Sequence, residues 1–106
     1  MSDKKFKSYV GDPDFHDGTI RRVSRESSLL SVEVEGHSGA RYLVRFTGVE
    51  SVISVDPEGM VVYALDEMET EPPLREFHFA NSNEPDEKGG HCKLEVMAQG
   101  LSVKRL

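Results

Sequence analysis

The sequence predicts an all-β fold, an antiparallel sandwich or small barrel of about seven to eight short strands. Apolar and polar residues alternate with a period of two through most of the chain, and turn residues recur about every eight to twelve positions. A chain of 106 residues has the usual length of one domain. We therefore expect a single all-β domain over residues 1–106, with a flexible tail at about 1–8.

The first predicted strand covers residues 19–26 and contains an irregularity. Ile20 and Val23 lie at positions of opposite parity, so they do not both face the core of a regular strand. Either a β-bulge lies between them, or one of the two side chains faces outward.

The clearest predicted element is a hairpin. Residues 28–35 and 40–47 both alternate, and a turn with two glycines, 36–39, lies between them. Arg41 or Arg45 then lies across the hairpin from a glutamate. Such an exposed ion pair stabilises the fold by only about 0.2–1 kcal/mol.

The middle of the chain leaves one choice open. Residues 49–55 alternate as a further strand, and Asp-Pro-Glu-Gly at 56–59 has the composition of a type I turn. Residues 60–68 fit a strand covered on both faces, which their adjacent valines favour. The alternative is a short helix near 57–68, with Pro57 at its first position.

The carboxyl-terminal half predicts a loop followed by a strand. The stretch 66–73 carries four acids and two prolines, which predicts a loop or strand exit that is exposed to solvent. In the strand predicted over 74–80 the two phenylalanines face inward, whereas Glu76 and His78 face outward.

A second loop and two more strands complete the prediction. Residues 81–90 are polar and rich in glycine and proline, so we expect a mobile loop there. Residues 92–98 alternate again, and a final strand begins at Leu101.

Charge and composition disfavour several functional classes. Thirteen basic and nineteen acidic residues give a formal charge of −6, and an acidic surface repels phosphate backbones, so we expect no nucleic-acid partner. The sequence shows no secretory signal, and none of its apolar runs approaches the ~20 residues that cross a bilayer. With Cys92 as the single cysteine, we expect a soluble, cytoplasmic protein with no membrane partner.

The stretch Asp-Pro-Asp-Phe-His-Asp-Gly at 12–18 has two interpretations. In the first, it forms two acidic turns that lead into the first strand and are anchored by the phenylalanine. In the second, Asp14, His16 and Asp17, with Arg22 beyond them, form a polar binding site. A calcium loop is not indicated, because its sixth position requires glycine and here holds Asp17.

An alternative function is a metal-dependent or acid/base enzyme that uses His16 and Asp17, joined by His78. Zinc needs more ligands than the first two residues supply, so we predict no cofactor, no metal and no catalytic residue. His91 and Cys92 do not indicate a thiol nucleophile, because adjacent residues on a strand point to opposite faces.

The leading hypothesis is a non-enzymatic protein-binding module. An acidic surface suits a basic protein partner, because complementary potentials accelerate the encounter. The candidate contact residues are Asp66, Glu67 and Glu69 of the acidic stretch. A homodimer formed through an exposed sheet edge is the simplest form of this hypothesis.

Phe-His-Asp-Gly at 15–18, followed by a strand, a hairpin and Phe-Thr-Gly-Val-Glu-Ser-Val at 46–52, resembles a family of small bacterial proteins. These are uncharacterised all-β proteins that open with Phe-His-Asp-Gly or Phe-His-Asp-Ala, and some are grouped with immunity proteins of toxin systems. The resemblance covers the first half of the chain. It implies a non-enzymatic β-domain that binds another protein, and it supplies no catalytic residues.

Overall fold

The computed structural model describes residues 5–81 and 92–106, and it confirms the all-β prediction. Within these residues the only helical element is a 3₁₀ turn, Pro13–Phe15. The nine described strands are antiparallel and form one sheet that is not closed. They are β1 Phe6–Tyr9, β2 Gly18–Glu26, β3 Leu29–Glu35, β4 Arg41–Thr47, β5 Ser51–Val55, β6 Val61–Met68, β7 Arg75–Asn81, β8 Lys93–Ala98 and β9 Gly100–Arg105.

The sheet curls over a single core. Its strands follow the order β5-β8-β7-β6-β2-β3-β4-β9, and β1 pairs with β6. The ring of Phe46 on β4 nevertheless lies 5.3 Å from that of Phe77 and 6.1 Å from that of Phe79, both on β7. Three strands separate β4 from β7 along the sheet, so these contacts require its two halves to face each other across the core.

The predicted hairpin and the irregular first strand are both confirmed. β3 pairs with β4 in the register that places Glu35 opposite Arg41. The pairing of β2 with β3 shifts between Ile20 and Arg22, which is the β-bulge of the first alternative. The bulge lets Ile20 lie fully buried while Val23 still packs partly against the core.

The helix considered near 57–68 is wrong, because Val61–Met68 forms strand β6. Backbone groups of β2 and β7 pair with the two edges of β6. The predicted cover of both faces is wrong, because Tyr63 on β6 is 47% exposed. Val62 and Leu65 are three residues apart, so in a regular strand their side chains would point to opposite faces. Both are buried because the pairing with β7 shifts between Val62 and Ala64.

Residues 66–68 continue β6 to Met68, as predicted for a strand over 60–68, and do not form the exposed loop that was the other prediction for 66–73. The reason is β1, a strand that the sequence did not predict. Phe6 of β1 pairs opposite Met68 and Tyr9 opposite Asp66, so part of the predicted tail supplies this strand's second partner.

The carboxyl-terminal strands follow the predicted alternation with one correction. Phe77 and Phe79 face the core as predicted. Glu76, predicted to face outward, is buried, because Met68 on β6 and Met97 on β8 flank it in the sheet. Of the predicted loop 81–90, only Asn81 is described, as the end of β7. No helix in 5–81 or 92–106 is long and apolar enough to cross a membrane.

Candidate functional site

The stretch 12–18 folds into the acidic turn of the first interpretation. The carboxylate of Asp12 accepts a hydrogen bond of 2.8 Å from the main-chain N–H of Asp14, which caps the 3₁₀ turn. Phe15 is fully buried against Tyr42, with 5.2 Å between ring centroids. The side chain of Phe15 therefore fixes this turn to the core.

The entry into β2 explains the Asp17–Gly18 pair. Asp17 adopts a φ of 63°, a left-handed conformation that aspartate tolerates better than most residues. A Cβ added to Gly18 would lie 2.7 Å from the carbonyl oxygen of Glu35, so only glycine fits against β3 here.

Asp14 is a structural clamp between the turn and the β3–β4 hairpin. Its carboxylate accepts hydrogen bonds from the Ser38 hydroxyl (2.6 Å), the Ser38 main-chain N–H (3.0 Å) and the Tyr42 hydroxyl (3.0 Å). Its carbonyl oxygen accepts a further one, of 2.9 Å, from the N–H of His37. The Ser38 hydroxyl in particular stabilises the carboxylate and lowers the pKa of Asp14 below its usual value of 3.8.

The variant Asp14→Asn is expected to unfold at a lower temperature than the wild type at pH 7. The lowered folded-state pKa means that the carboxylate's contribution is complete above pH 3.8 and is lost as the pH falls through the folded value. Thermal unfolding followed by circular dichroism should therefore show a difference that shrinks below pH 3.8. Asp17→Asn is the control, since asparagine also tolerates positive φ; an equal loss in both variants would contradict the clamp.

His16 lies outside the clamp, on an exposed surface beside β6. Its ring meets that of Tyr63 edge to face, with 5.0 Å between centroids. Its Nδ1 lies 3.4 Å from the carbonyl oxygen of Tyr63, and its Nε2 lies 3.7 Å from the Asp17 carboxylate. These contacts place the imidazole against β6 and leave more than half of the side chain exposed.

The side chain of His16 forms one wall of a cleft that the sequence did not predict. The cleft has a volume of about 260 Å³ and is open to solvent. We call it the aromatic cleft. Among the residues that line it are Tyr9, Asp12, Pro13, His16, Tyr63 and Leu65. Tyr9 on β1 and Tyr63 on β6 are both substantially exposed, at 62% and 47%.

The sequence contains the two tyrosines of this cleft, but it does not indicate that they lie close together. Tyr63 lies at the β6 bulge, and Tyr9 lies in a segment predicted to be part of, or next to, a flexible tail. Only the pairing of β1 with β6 brings these two aromatic residues to one surface.

The three acidic candidates, Asp66, Glu67 and Glu69, do not lie on one common surface. Glu67 is buried and accepts two hydrogen bonds from the guanidinium of Arg75, at 2.8 and 3.0 Å, with Lys7 3.6 Å away. The hydrogen bonds from Arg75, together with its charge, hold the pKa of Glu67 below its usual range. Glu69 is exposed and extends beyond the end of β6.

Asp66 is on the opposite side of β6 from Glu67. It is half-buried, one of its carboxylate oxygens is buried with no hydrogen-bond partner among the described residues, and burial raises its pKa. Arg22 is far along β2 on an exposed position opposite Glu33. The structure therefore brings His16 and Asp17 together, and it places Arg22, Asp66 and Glu67 in separate environments.

His78 has different neighbours from His16. Its Nε2 lies 2.7 Å from Glu76 and 3.9 Å from a carboxylate oxygen of Glu95, on β7 and β8. Among the residues that the structure describes, no group of three or more histidine, cysteine, aspartate or glutamate side chains is arranged to hold a metal ion. Nothing in these contacts joins His78 to His16 and Asp17, as the enzyme hypothesis requires.

Comparison of the chain with protein-family models, with curated proteins and with solved structures found no significant match. The resemblance to the bacterial Phe-His-Asp-Gly proteins therefore stays a prediction.

Proposed function

We propose that this chain is a non-enzymatic protein-binding module, and that the aromatic cleft receives a basic side chain of its protein partner. The observation that carries the proposal is the exposure of Tyr9 and Tyr63 on two walls of one concave surface. Exposed tyrosines in a concave site are typical anchors of protein interfaces, since they contribute a large contact area with few rotatable bonds.

The size of the cleft is compatible with a single long side chain as its occupant. Its volume of about 260 Å³ lies below the ~300–1,000 Å³ that is usual for small-molecule sites. A single arginine or lysine side chain, entering from a partner's surface, is a smaller occupant. Its cation would lie close to the tyrosine rings, where cation–π attraction contributes about 0.5–2 kcal/mol.

Charge supports a basic occupant. The chain has a formal charge of −6, Asp12 lines the cleft, and Asp17 lies beside His16 at its border. The field of an acidic protein accelerates the approach of a cationic partner and repels an anionic one. The resemblance to toxin-immunity proteins, which implies a protein partner, and the cytoplasmic location proposed from the single cysteine fit such a role.

The turn that carries the cleft is held rigidly, which favours recognition. Phe15 fixes it to the core, and the Asp14 clamp fixes it to the β3–β4 hairpin. Pro13 and His16, on either side of these two residues, are therefore held in place before any partner binds. Such preorganisation lowers the entropy lost on binding.

Titration of the isotope-labelled chain with the capped peptide Gly-Arg-Gly-Arg-Gly tests the proposal. We expect amide chemical-shift changes to concentrate at Tyr9, His16 and Tyr63. Tyr63→Ala should weaken binding by about two- to thirtyfold, which corresponds to one cation–π contact. Binding should also weaken as salt is raised, because exposed charges are screened.

Two controls make the titration decisive. The neutral peptide Gly-Gln-Gly-Gln-Gly should bind far more weakly, and Val103→Ala, which trims an exposed apolar side chain on β9, should leave the affinity unchanged. Equal binding of the neutral peptide, or shift changes centred away from the cleft, would refute the proposed function.

A further inference from the structure

Strand β5 is an edge of the sheet that lacks the usual protection against pairing. In the part of the chain that the structure describes, β5 pairs with β8 and with no other strand. Its sequence, Ser-Val-Ile-Ser-Val, contains no charge and no proline, and three of its residues are β-branched. Ile53 is 55% exposed and Val55 is 41% exposed. A free edge of this composition readily accepts another strand.

Among the described residues two other strands, β1 and β9, also pair on one side only. Unlike β5, both carry positive charges. β9 carries Lys104 and Arg105, and β1 carries Lys7. Lysine and arginine on an edge strand oppose pairing, because a second strand would have to bury or approach the charge. The edge at β5 is therefore the one best suited to receive a strand.

We infer that two copies of this chain associate through antiparallel pairing of their β5 strands about a two-fold axis. With the axis at Ile53 each isoleucine lies opposite its counterpart and Ser51 lies opposite Val55, so the two paired segments bring no like charges together. Pairing satisfies the free backbone groups of both edges and covers the exposed Ile53 and Val55 side chains together. The occupant of this edge is thus a second copy of the chain.

The same geometry predicts a weak, salt-dependent dimer. Five residues per copy form a contact smaller than the ~1,600 Å² of a standard interface, so the association should depend on concentration. Glu50 and Asp56 flank the strand, and the two-fold register brings Glu50 of one copy towards Asp56 of the other. Their repulsion is screened by salt, so added salt should strengthen the dimer.

Sedimentation analysis of the full chain tests this inference. The weight-average mass of the wild type should rise with concentration from 11.9 kDa towards twice that value. Ile53→Lys should weaken dimerisation at least tenfold. Val103→Lys is the matched control, since it adds the same charge at an exposed valine on β9, and it should dimerise like the wild type.

A second measurement is independent of any substitution. Amide hydrogen exchange of Ser51–Val55 in the wild type should slow as concentration rises, while exchange in β9 should not. A wild type that keeps the mass of one chain up to about 1 mM, where an association with a Kd of 1 mM is half formed, would overturn the inference. Equal effects of Ile53→Lys and Val103→Lys, or slowed exchange elsewhere, would also overturn it. These results are independent of peptide binding at the aromatic cleft.

Discussion

Replacing Phe15 with alanine is expected to lower the free energy of unfolding by about 3–5 kcal/mol, as for other fully buried phenylalanines. Phe15 is completely inaccessible to solvent, and its ring packs edge to face against Tyr42. A Cβ added to Gly11 would lie 2.6 Å from this ring, so the main chain on the other side is also in close contact. Neighbouring groups that are this closely packed have little freedom to fill the cavity, and urea unfolding measures the loss.

The same substitution should weaken peptide binding, because Phe15 anchors the turn that carries Pro13 and His16.

For the loss of stability, Tyr9→Ala is the variant to compare with Phe15→Ala. It removes another aromatic ring, but one that is 62% exposed, so its cost in stability should stay below about 1 kcal/mol. If Phe15→Ala costs no more than Tyr9→Ala, Phe15 is not the anchor of the turn.

Arg75→Ala is expected to lower the free energy of unfolding by about 2 kcal/mol at pH 7. Removing one partner of a fully buried ion pair costs about 3–5 kcal/mol, and solvent screening at Arg75, whose side chain is 39% exposed, reduces this figure. The variant leaves the Glu67 carboxylate, only 5% exposed, without its two guanidinium hydrogen bonds. It also removes the guanidinium that lies 5.0 Å from the ring centroid of Phe77.

The effect of Arg75→Ala should depend on pH with a definite sign. The hydrogen bonds from Arg75 lower the folded-state pKa of Glu67 below its usual 4.5. The ionised pair's contribution is therefore complete above pH 4.5, and it is lost as the pH falls through the lower folded value. Urea unfolding of both proteins from pH 7 downwards should show the wild type and the variant converging below pH 4.5.

Arg21→Ala is the matched control for this experiment. Arg21 donates a hydrogen bond of 2.7 Å to Glu35, but that pair is on the surface, with 51% and 29% of the two side chains exposed. Its removal should cost much less than that of Arg75. An equal cost for the two variants would show that burial of Glu67 is not what makes the Arg75 pair important.

Much of the fold could be predicted because the alternation of apolar and polar residues within a strand shows which of its faces is buried. Alternation in 28–35 and 40–47 requires one face of each run to be buried, and the two glycines between them permit the turn, so the hairpin follows from local properties. The conflict between Ile20 and Val23 was visible for the same reason, and the bulge resolves it. The 12–18 turn was also predictable, because aspartate, proline and glycine each have a local conformational preference.

The sites could not be predicted to the same extent, because they depend on which strands become neighbours. The sequence predicted Asp66 and Glu67 to be solvated loop residues, but in the structure they lie in the part of β6 that pairs with β1. Burial of Glu67 then required a partner, and Arg75 is close enough only because β6 and β7 are adjacent in the sheet. Likewise, Tyr9 and Tyr63 had no reason to be associated before that pairing placed them on one surface.

The sequence by itself determined the class of fold, most of the strands, the central hairpin and most of the inward faces, since a period of two is a property of each segment alone. Tertiary structure alone decided that the described strands form one open sheet, that Asp14 is a clamp and Glu67 a buried ion, and that β5 pairs on one side only among residues 5–81 and 92–106. The physical reason is that alternation specifies which side of a strand meets the core, but not which strand lies beside it. The environment of every polar side chain depends on that second choice.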